Sequence, residues 1–214
     1  MTRVLLTGFE PFDGESANPS WQAVRAAAAE PPAGVEFFAA ELPCVYGAAR
    51  VALRDAIEEV RPEIVVCVGQ AGGRPDITVE RLAVNVDDAR IPDVSGAQPV
   101  DEVIVPGGPA AYFSTLPIKA CVAAVRAAGL PASVSNTAGT FVCNHVFYAL
   151  AHLIATELPG IRGGFVHVPY APEQVLHRAQ PSLPVASVAQ ALREIAVTAA
   201  TVRTDIRVAE GATH

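Results

Sequence analysis

The sequence contains no C-x-x-C pair, which argues against zinc ribbons and thioredoxin-type redox motifs. Four cysteines in 214 residues are too few for a disulfide framework and point to a reducing, cytoplasmic compartment. No apolar run is long enough to span a bilayer. The start, Met1 to Glu10, resembles a signal peptide only in its first few residues. Glu10 and Asp13 interrupt it and no cleavage site follows, so it reads as a first buried strand. Positive charge is also in short supply. A formal net charge of −7 argues against a nucleic-acid footprint. Internal repeats, linkers and low-complexity segments are absent apart from alanine-rich helices, so the whole of 1–214 reads as one domain.

Strand and helix patterns alternate along the chain. Arg3–Thr7, Val35–Leu42, Glu63–Gly69, Thr78–Val86, Ala132–Ser135 and Gly164–Val168 read as strands. Helical spacing covers a segment opened by Asn18-Pro19-Ser20, then Tyr46–Val60, Pro117–Ala128, Phe141–Leu158 and about Val185 to Arg203. A long loop runs from Asp87 to about Pro117. This alternation predicts an α/β sandwich, with helices on both faces of a mostly parallel sheet.

Cys143 is the residue most suggestive of chemistry. The small-residue turn Ser135-Asn136-Thr137-Ala138-Gly139 leads into Thr140, a candidate N-cap. Phe141, Val142, Val146, Phe147, Leu150, Ile154 and Leu158 then recur at helical spacing. Cys143 therefore falls in the first turn, where free N–H groups and the helix dipole favour a thiolate. It is either a nucleophile or a small buried apolar residue. Cys67 and Cys121 fit packing better, whereas Cys44 either lines a pocket or packs.

A sulfur nucleophile needs a base, and the base needs an orienting group. His145 lies on the wrong side of its helix. His152 is carried away along that helix, and His177 and His214 lie in solvated positions. His167 ends the strand-like run before Pro169, and reacting groups gather at the carboxyl ends of strands. The alternative is a core histidine bonded to a backbone carbonyl. Strand alternation puts Glu80 on the face of Leu82, Val84 and Val86. A carboxylate there needs a partner. Arg81 points the other way, while an imidazolium would serve. The alternative is an edge-strand glutamate at a bulge.

Two further stretches are less specific. Gly69-Gln70-Ala71-Gly72-Gly73-Arg74 follows a buried strand, like a phosphate-binding loop. It is not G-x-G-x-x-G and has no P-loop lysine, so it reads as a backbone nest for an anion or as a sharp turn. Phe9 and Phe12, in the loop after the first strand, suit a lid over the core.

These segments taken together resemble the cysteine-type pyroglutamyl peptidases (pyrrolidone-carboxylate peptidases). The matching stretches are Thr7–Phe12, Gly69–Arg74, Glu80-Arg81 with Asn85–Asp93, Gly107–Tyr112, Ser135–His145 and Phe165–Tyr170, in family order. The resemblance implies a single-domain, three-layer α/β/α sandwich of the phosphorylase/hydrolase-like type with a mixed sheet. It assigns a catalytic triad to Cys143, His167 and Glu80. It implies substrate contacts from Phe9, Phe12, Gln70, Arg90, Phe141 and Val142, and it requires no metal or cofactor. The implied partners are peptides with an N-terminal pyroglutamate and further copies of the chain in a homo-oligomer, often a tetramer. Neither nucleic acid nor membrane is among them. Cys44 departs from the family, which often carries a small polar residue there. On the residues alone, two other functions stay open: a phosphate-ester enzyme using the glycine loop, and a binding protein with an inert triad.

Overall fold

The computed structural model describes residues 1–211, so His214 lies outside the described residues. Eight strands and five α-helices are found there: β1 (Thr2–Phe9), α1 (Pro19–Ala29), β2 (Val35–Leu42), α2 (Ala48–Val60), β3 (Ile64–Gln70), β4 (Ile77–Glu80), β5 (Leu82–Val84), β6 (Ala111–Phe113), α3 (Ile118–Ala127), β7 (Ala132–Ser135), α4 (Val142–Thr156), β8 (Arg162–Val168) and α5 (Val185–Thr201). Six strands form one sheet in the order β2-β1-β3-β8-β4-β7. Only the β4–β8 pairing is antiparallel; the others are parallel.

Alternation along the strands gives each face its own core. On one face Val4, Leu6, Ile64, Val66, Val68, Val79 and Val166 pack with α1, α3 and α5. On the other, Leu5, Val65, Cys67 and Phe165 pack with α2 and α4. This is the three-layer mixed sandwich expected from the sequence. The helix boundaries have local causes. The Asn18 side chain accepts a hydrogen bond from the Ser20 N–H, with Pro19 at the first helical position of α1, where its missing N–H costs nothing. At α3 the cap residue is Pro117, whose side chain cannot accept. Its first turn is served instead by Asp205, whose carboxylate accepts from the N–H groups of Lys119 (3.0 Å) and Ala120 (2.9 Å).

Two expectations need correction. The strand read over Thr78–Val86 is interrupted at Arg81, whose N–H donates to Ser135 O and whose carbonyl accepts from Ser114 N. Beyond that break β5 leaves the main sheet and pairs antiparallel with β6. Apolar alternation runs through both pieces, so sequence could not show where one sheet ends and the other begins. β6 itself, within the segment read as loop, is only three residues long and mostly exposed. It carries no buried periodicity to detect. The second correction concerns Thr140. Phe141 occupies the cap position of α4, and no side chain caps the helix. The Thr140 hydroxyl donates to the Asp88 carbonyl at 2.7 Å instead.

Candidate active site

Cys143 is the second residue of α4, and it reaches the sheet because the next-to-last residue of β3 is a glycine. A β-carbon placed on Gly69 would lie 2.7 Å from the Cys143 sulfur and 2.9 Å from the Phe165 ring. Gly69 is paired in register with His167 on β8. The nucleophile candidate therefore sits over a bare patch of backbone, beside the histidine. His167 follows Phe165 at a spacing of two and shares its face, the ring centroids lying 4.8 Å apart. Glu80 reaches the same face from β4. Thr78 pairs with His167, and Glu80 is two residues further along. The antiparallel step in the sheet brings the acid diagonally beside the imidazole. His167 Nδ1 and Glu80 Oε1 are 2.8 Å apart.

The electrostatics of the pair settle its protonation. Burial works to raise the Glu80 pKa, but the hydrogen bond and charge of His167 and the charge of Arg74 together hold it below the ordinary carboxylate value. His167 is also lowered, chiefly by desolvation, against which the Glu80 hydrogen bond acts. The resting state is an ionised glutamate beside a neutral imidazole. A carboxylate only accepts hydrogen bonds, so the ring proton sits on Nδ1 and Nε2 carries a lone pair. Cys143 does not match the expected thiolate. Desolvation, followed by Cys44 and Glu80, raises its pKa, and only Arg74 opposes them. The sulfur rests as a thiol, and loss of its proton depends on a nearby base rather than on the helix start alone.

Arg74 was missed as a site residue. Its guanidinium donates to Glu80 Oε1 (2.6 Å), Thr78 Oγ1 (2.5 Å) and the Thr137 carbonyl (3.0 Å). The signal available was its place at the end of the glycine loop. Arg81 bonds Asn136 and the Glu210 carbonyl, consistent with its exclusion as a partner of Glu80. His145 pairs with Asp87 at 2.8 Å, and His152 Nδ1 lies 2.9 Å from the Tyr112 hydroxyl. His177 is exposed.

Cys143 and His167 both open on a cavity of about 560 Å³. Phe9, Phe12, Gln70, Arg90 and Phe141 line it. Val142 does not. It is fully buried in the core with Phe147 and Phe165, because the first turn of α4 points it at the sheet. Cys44, which the sequence left as either a pocket-lining or a packing residue, lines the cavity too, as do Tyr170 and Arg178, which carried no such signal. The Phe12 and Phe141 rings pack at a tilt of 39° with centroids 6.2 Å apart, and Tyr46 meets Phe141 edge-on at 5.6 Å. The glycine loop is not an open anion cradle. A β-carbon on Gly72 would fall 2.1 Å from the Tyr170 ring, so that side of the loop is filled by a side chain. Among the described residues, no group of three or more His, Cys, Asp or Glu is arranged to hold a metal ion, and no helix is long and apolar enough to cross a membrane.

The bare backbone at Gly69 leads to a measurable expectation. In Gly69→Ala the new methyl and the Cys143 sulfur cannot share their present positions. A displacement of about 1 Å at a reacting atom costs about 100-fold in rate, so kcat should fall on that scale with KM little changed. Overpacking should also cost about 1–3 kcal/mol of stability, visible as a lower Tm. A lower Tm with kcat retained would mean that the Phe165 ring moves and the sulfur does not.

Comparison with known proteins identifies the family. The sequence model of the pyroglutamyl peptidase family matches residues 2–203. The chain is 66% identical to a pyrrolidone-carboxylate peptidase of Streptomyces coelicolor and 56% identical to one of Cupriavidus taiwanensis, over the full length of both partners in each case. Among solved structures, pyroglutamyl peptidase I of Bacillus amyloliquefaciens superposes with a TM-score of 0.96 at 50% identity, covering 97% of this chain and 99% of that one. Pyrrolidone carboxyl peptidase of Thermococcus litoralis gives 0.92 at 37% identity, covering 98% and 100%. A matching family model over nearly the whole chain, and relatives more than half identical from end to end, lead to one conclusion: this chain belongs to the pyroglutamyl peptidase family.

Proposed function

We propose that this chain, a hydrolase of the omega-peptidase class by family, removes an N-terminal pyroglutamyl residue from peptides through a thioester formed on Cys143. The observation that carries the reading is the convergence of Cys143, His167 and Glu80 on one face of the sheet, at the edge of a cavity with an aromatic wall. Pyroglutamate has no charged amino group. A flat, neutral lactam suits the end of the cavity walled by Phe12 and Phe141, with Phe9 also lining it. Its N–H and C=O need partners once buried. Gln70 can supply one; its Oε1 already accepts from Gln174 at 3.1 Å, which fixes the orientation of the amide.

The steps follow from the resting protonation. His167 Nε2 takes the thiol proton as the sulfur attacks the carbonyl that joins pyroglutamate to the next residue. Glu80 holds the ring by Nδ1 and stabilises the imidazolium. The developing oxyanion is met by N–H groups at the start of α4, including that of Cys143. No side chain caps this helix, so those donors remain available for substrate. Arg90 adds positive charge from the cavity wall. The imidazolium then protonates the leaving amine, and water, deprotonated by His167, hydrolyses the thioester.

Selectivity tests the pocket independently of the nucleophile. Ring-opened glutaminyl and glutamyl substrates carry an ammonium that the aromatic wall cannot solvate. A prolyl substrate keeps the ring but leaves the lactam-oxygen partners unpaired. For matched amides of one fluorophore, kcat/KM should be highest for pyroglutamyl, intermediate or poor for prolyl, and at least about 1,000-fold lower for glutaminyl and glutamyl. Comparable values for pyroglutamyl and glutaminyl amides would refute the pocket assignment even if Cys143 proved essential.

A further inference from the structure

The cavity extends well beyond its aromatic end, and the extension is built from an ordered pile of side chains. Gly72 comes first. Its missing β-carbon lets the Tyr170 ring lie against the backbone. The Arg178 guanidinium lies over that ring, 4.5 Å from its centroid. Glu15 then accepts from Arg178 Nη2 at 2.9 Å, tying the loop after β1 to the segment beyond β8. All four residues line the cavity. An exposed surface ion pair alone would carry little meaning. Here the guanidinium is fixed from two directions, by an aromatic face and by a carboxylate.

The position of this pile is set by the chemistry. His167 gives its proton to the leaving amine, so the leaving peptide departs along the His167 side. Beyond His167 the chain runs through Val168 and Pro169 to Tyr170, and a 3-10 turn over Pro172–Val175 leads on to Arg178. The aromatic end of the cavity, with Phe12 and Phe141, is left for the lactam. Of the three arginines that line the cavity, Arg74 is committed to Glu80, and Arg90 stands with the long loop after β5. Arg178 is the cation on the leaving side. Its described bond to Glu15 uses one of its five N–H donors, so others remain to meet an anionic group.

We infer that Tyr170 and Arg178, braced by Glu15, form the subsite for the residue that follows pyroglutamate, and that this subsite favours a carboxylate side chain there over an ammonium. The inference rests on the peptidase reading above. Glu15 sets its strength, since its charge partly cancels that of Arg178. The two substitutions should therefore act in opposite directions, which a merely structural clasp would not produce.

The test is a competition between pyroglutamyl-aspartyl-amide and pyroglutamyl-lysyl-amide in one tube. The two released amino-acid amides are separated and quantified, and their rates give the ratio of kcat/KM directly. The wild-type ratio should favour the aspartyl peptide by about fivefold and shrink at high salt. Arg178→Ala should bring the ratio to about one or below, and Arg178→Lys should restore part of it. Glu15→Gln should raise the ratio by about threefold. A ratio moved by neither Arg178→Ala nor Glu15→Gln would overturn the subsite, and so would equal falls in both variants. Failure of the wild-type protein to cleave either peptide, or a pyroglutamyl fluorophore amide, would overturn the peptidase reading itself.

Discussion

Cys143→Ala is expected to abolish turnover while leaving the fold intact. The sulfur supplies the bond on which the thioester reading depends. Losses for a nucleophile of this kind are at least about 10⁴-fold in kcat. The structural cost should be small, because Cys143 is only partly buried and carries no disulfide. Circular dichroism and Tm close to wild type, together with undetectable release of fluorophore, are the expected pair of results. Cys44→Ala, Cys67→Ala and Cys121→Ala should keep activity and lose stability, since all three are buried in the two cores. Wild-type turnover by Cys143→Ala would sink the mechanism.

The second large effect separates His167 from Glu80. His167→Ala removes both base and acid and should cost about 10³–10⁴-fold in kcat. Glu80→Gln keeps an acceptor for the Nδ1 proton but loses the charge that stabilises the imidazolium, so about 100-fold is expected. The pH profile gives a further check with a definite sign. His167 must be neutral to act as base, and its pKa lies below the ordinary 6.5. Activity should therefore persist below pH 6.5 and fall only as His167 protonates at lower pH. Arg74 lowers the His167 value and shares Glu80 Oε1 with it. Arg74→Gln should move the acid limb of kcat/KM to higher pH. A wild-type limb centred well above 6.5, or full-speed turnover by His167→Ala, would contradict the assignment of the base.

Much of the fold was legible because burial leaves periodic traces. β2 and β7 fall on the boundaries read from sequence, and α1 starts where its asparagine–proline signal puts it. The illegible parts are those decided by long-range partners. Nothing local marks the break at Arg81, which is set by Ser135 and Ser114. The same holds for the site. Position alone made Cys143, His167 and Glu80 candidates, and the family resemblance assigned them their roles. The sequence left out what tertiary packing adds: the desolvation that keeps Cys143 protonated, the Arg74 bond to Glu80, and the burial of Val142. Gly69 was within reach of sequence reading as a strand-end glycine, but its purpose depends on a sulfur brought in from 74 residues downstream.

The remote cap of α3 bears on how the molecule is assembled. A helix capped by its own preceding residue can complete its first turn as soon as that turn is synthesised. At α3 the cap is Asp205, near the end of the chain and beyond the stretch matched by the family model. A carboxylate at this position contributes about 1 kcal/mol. The same tail is held by Lys119 to the Val208 carbonyl at 2.5 Å and by Arg126 to Glu210. α3 packs against β4 and β7, and β4 carries Glu80. During synthesis the layer behind Glu80 thus acquires this fastening only after residues 205–210 emerge, so a nascent chain can already hold Cys143, His167 and Glu80 and still be unfinished behind one of them.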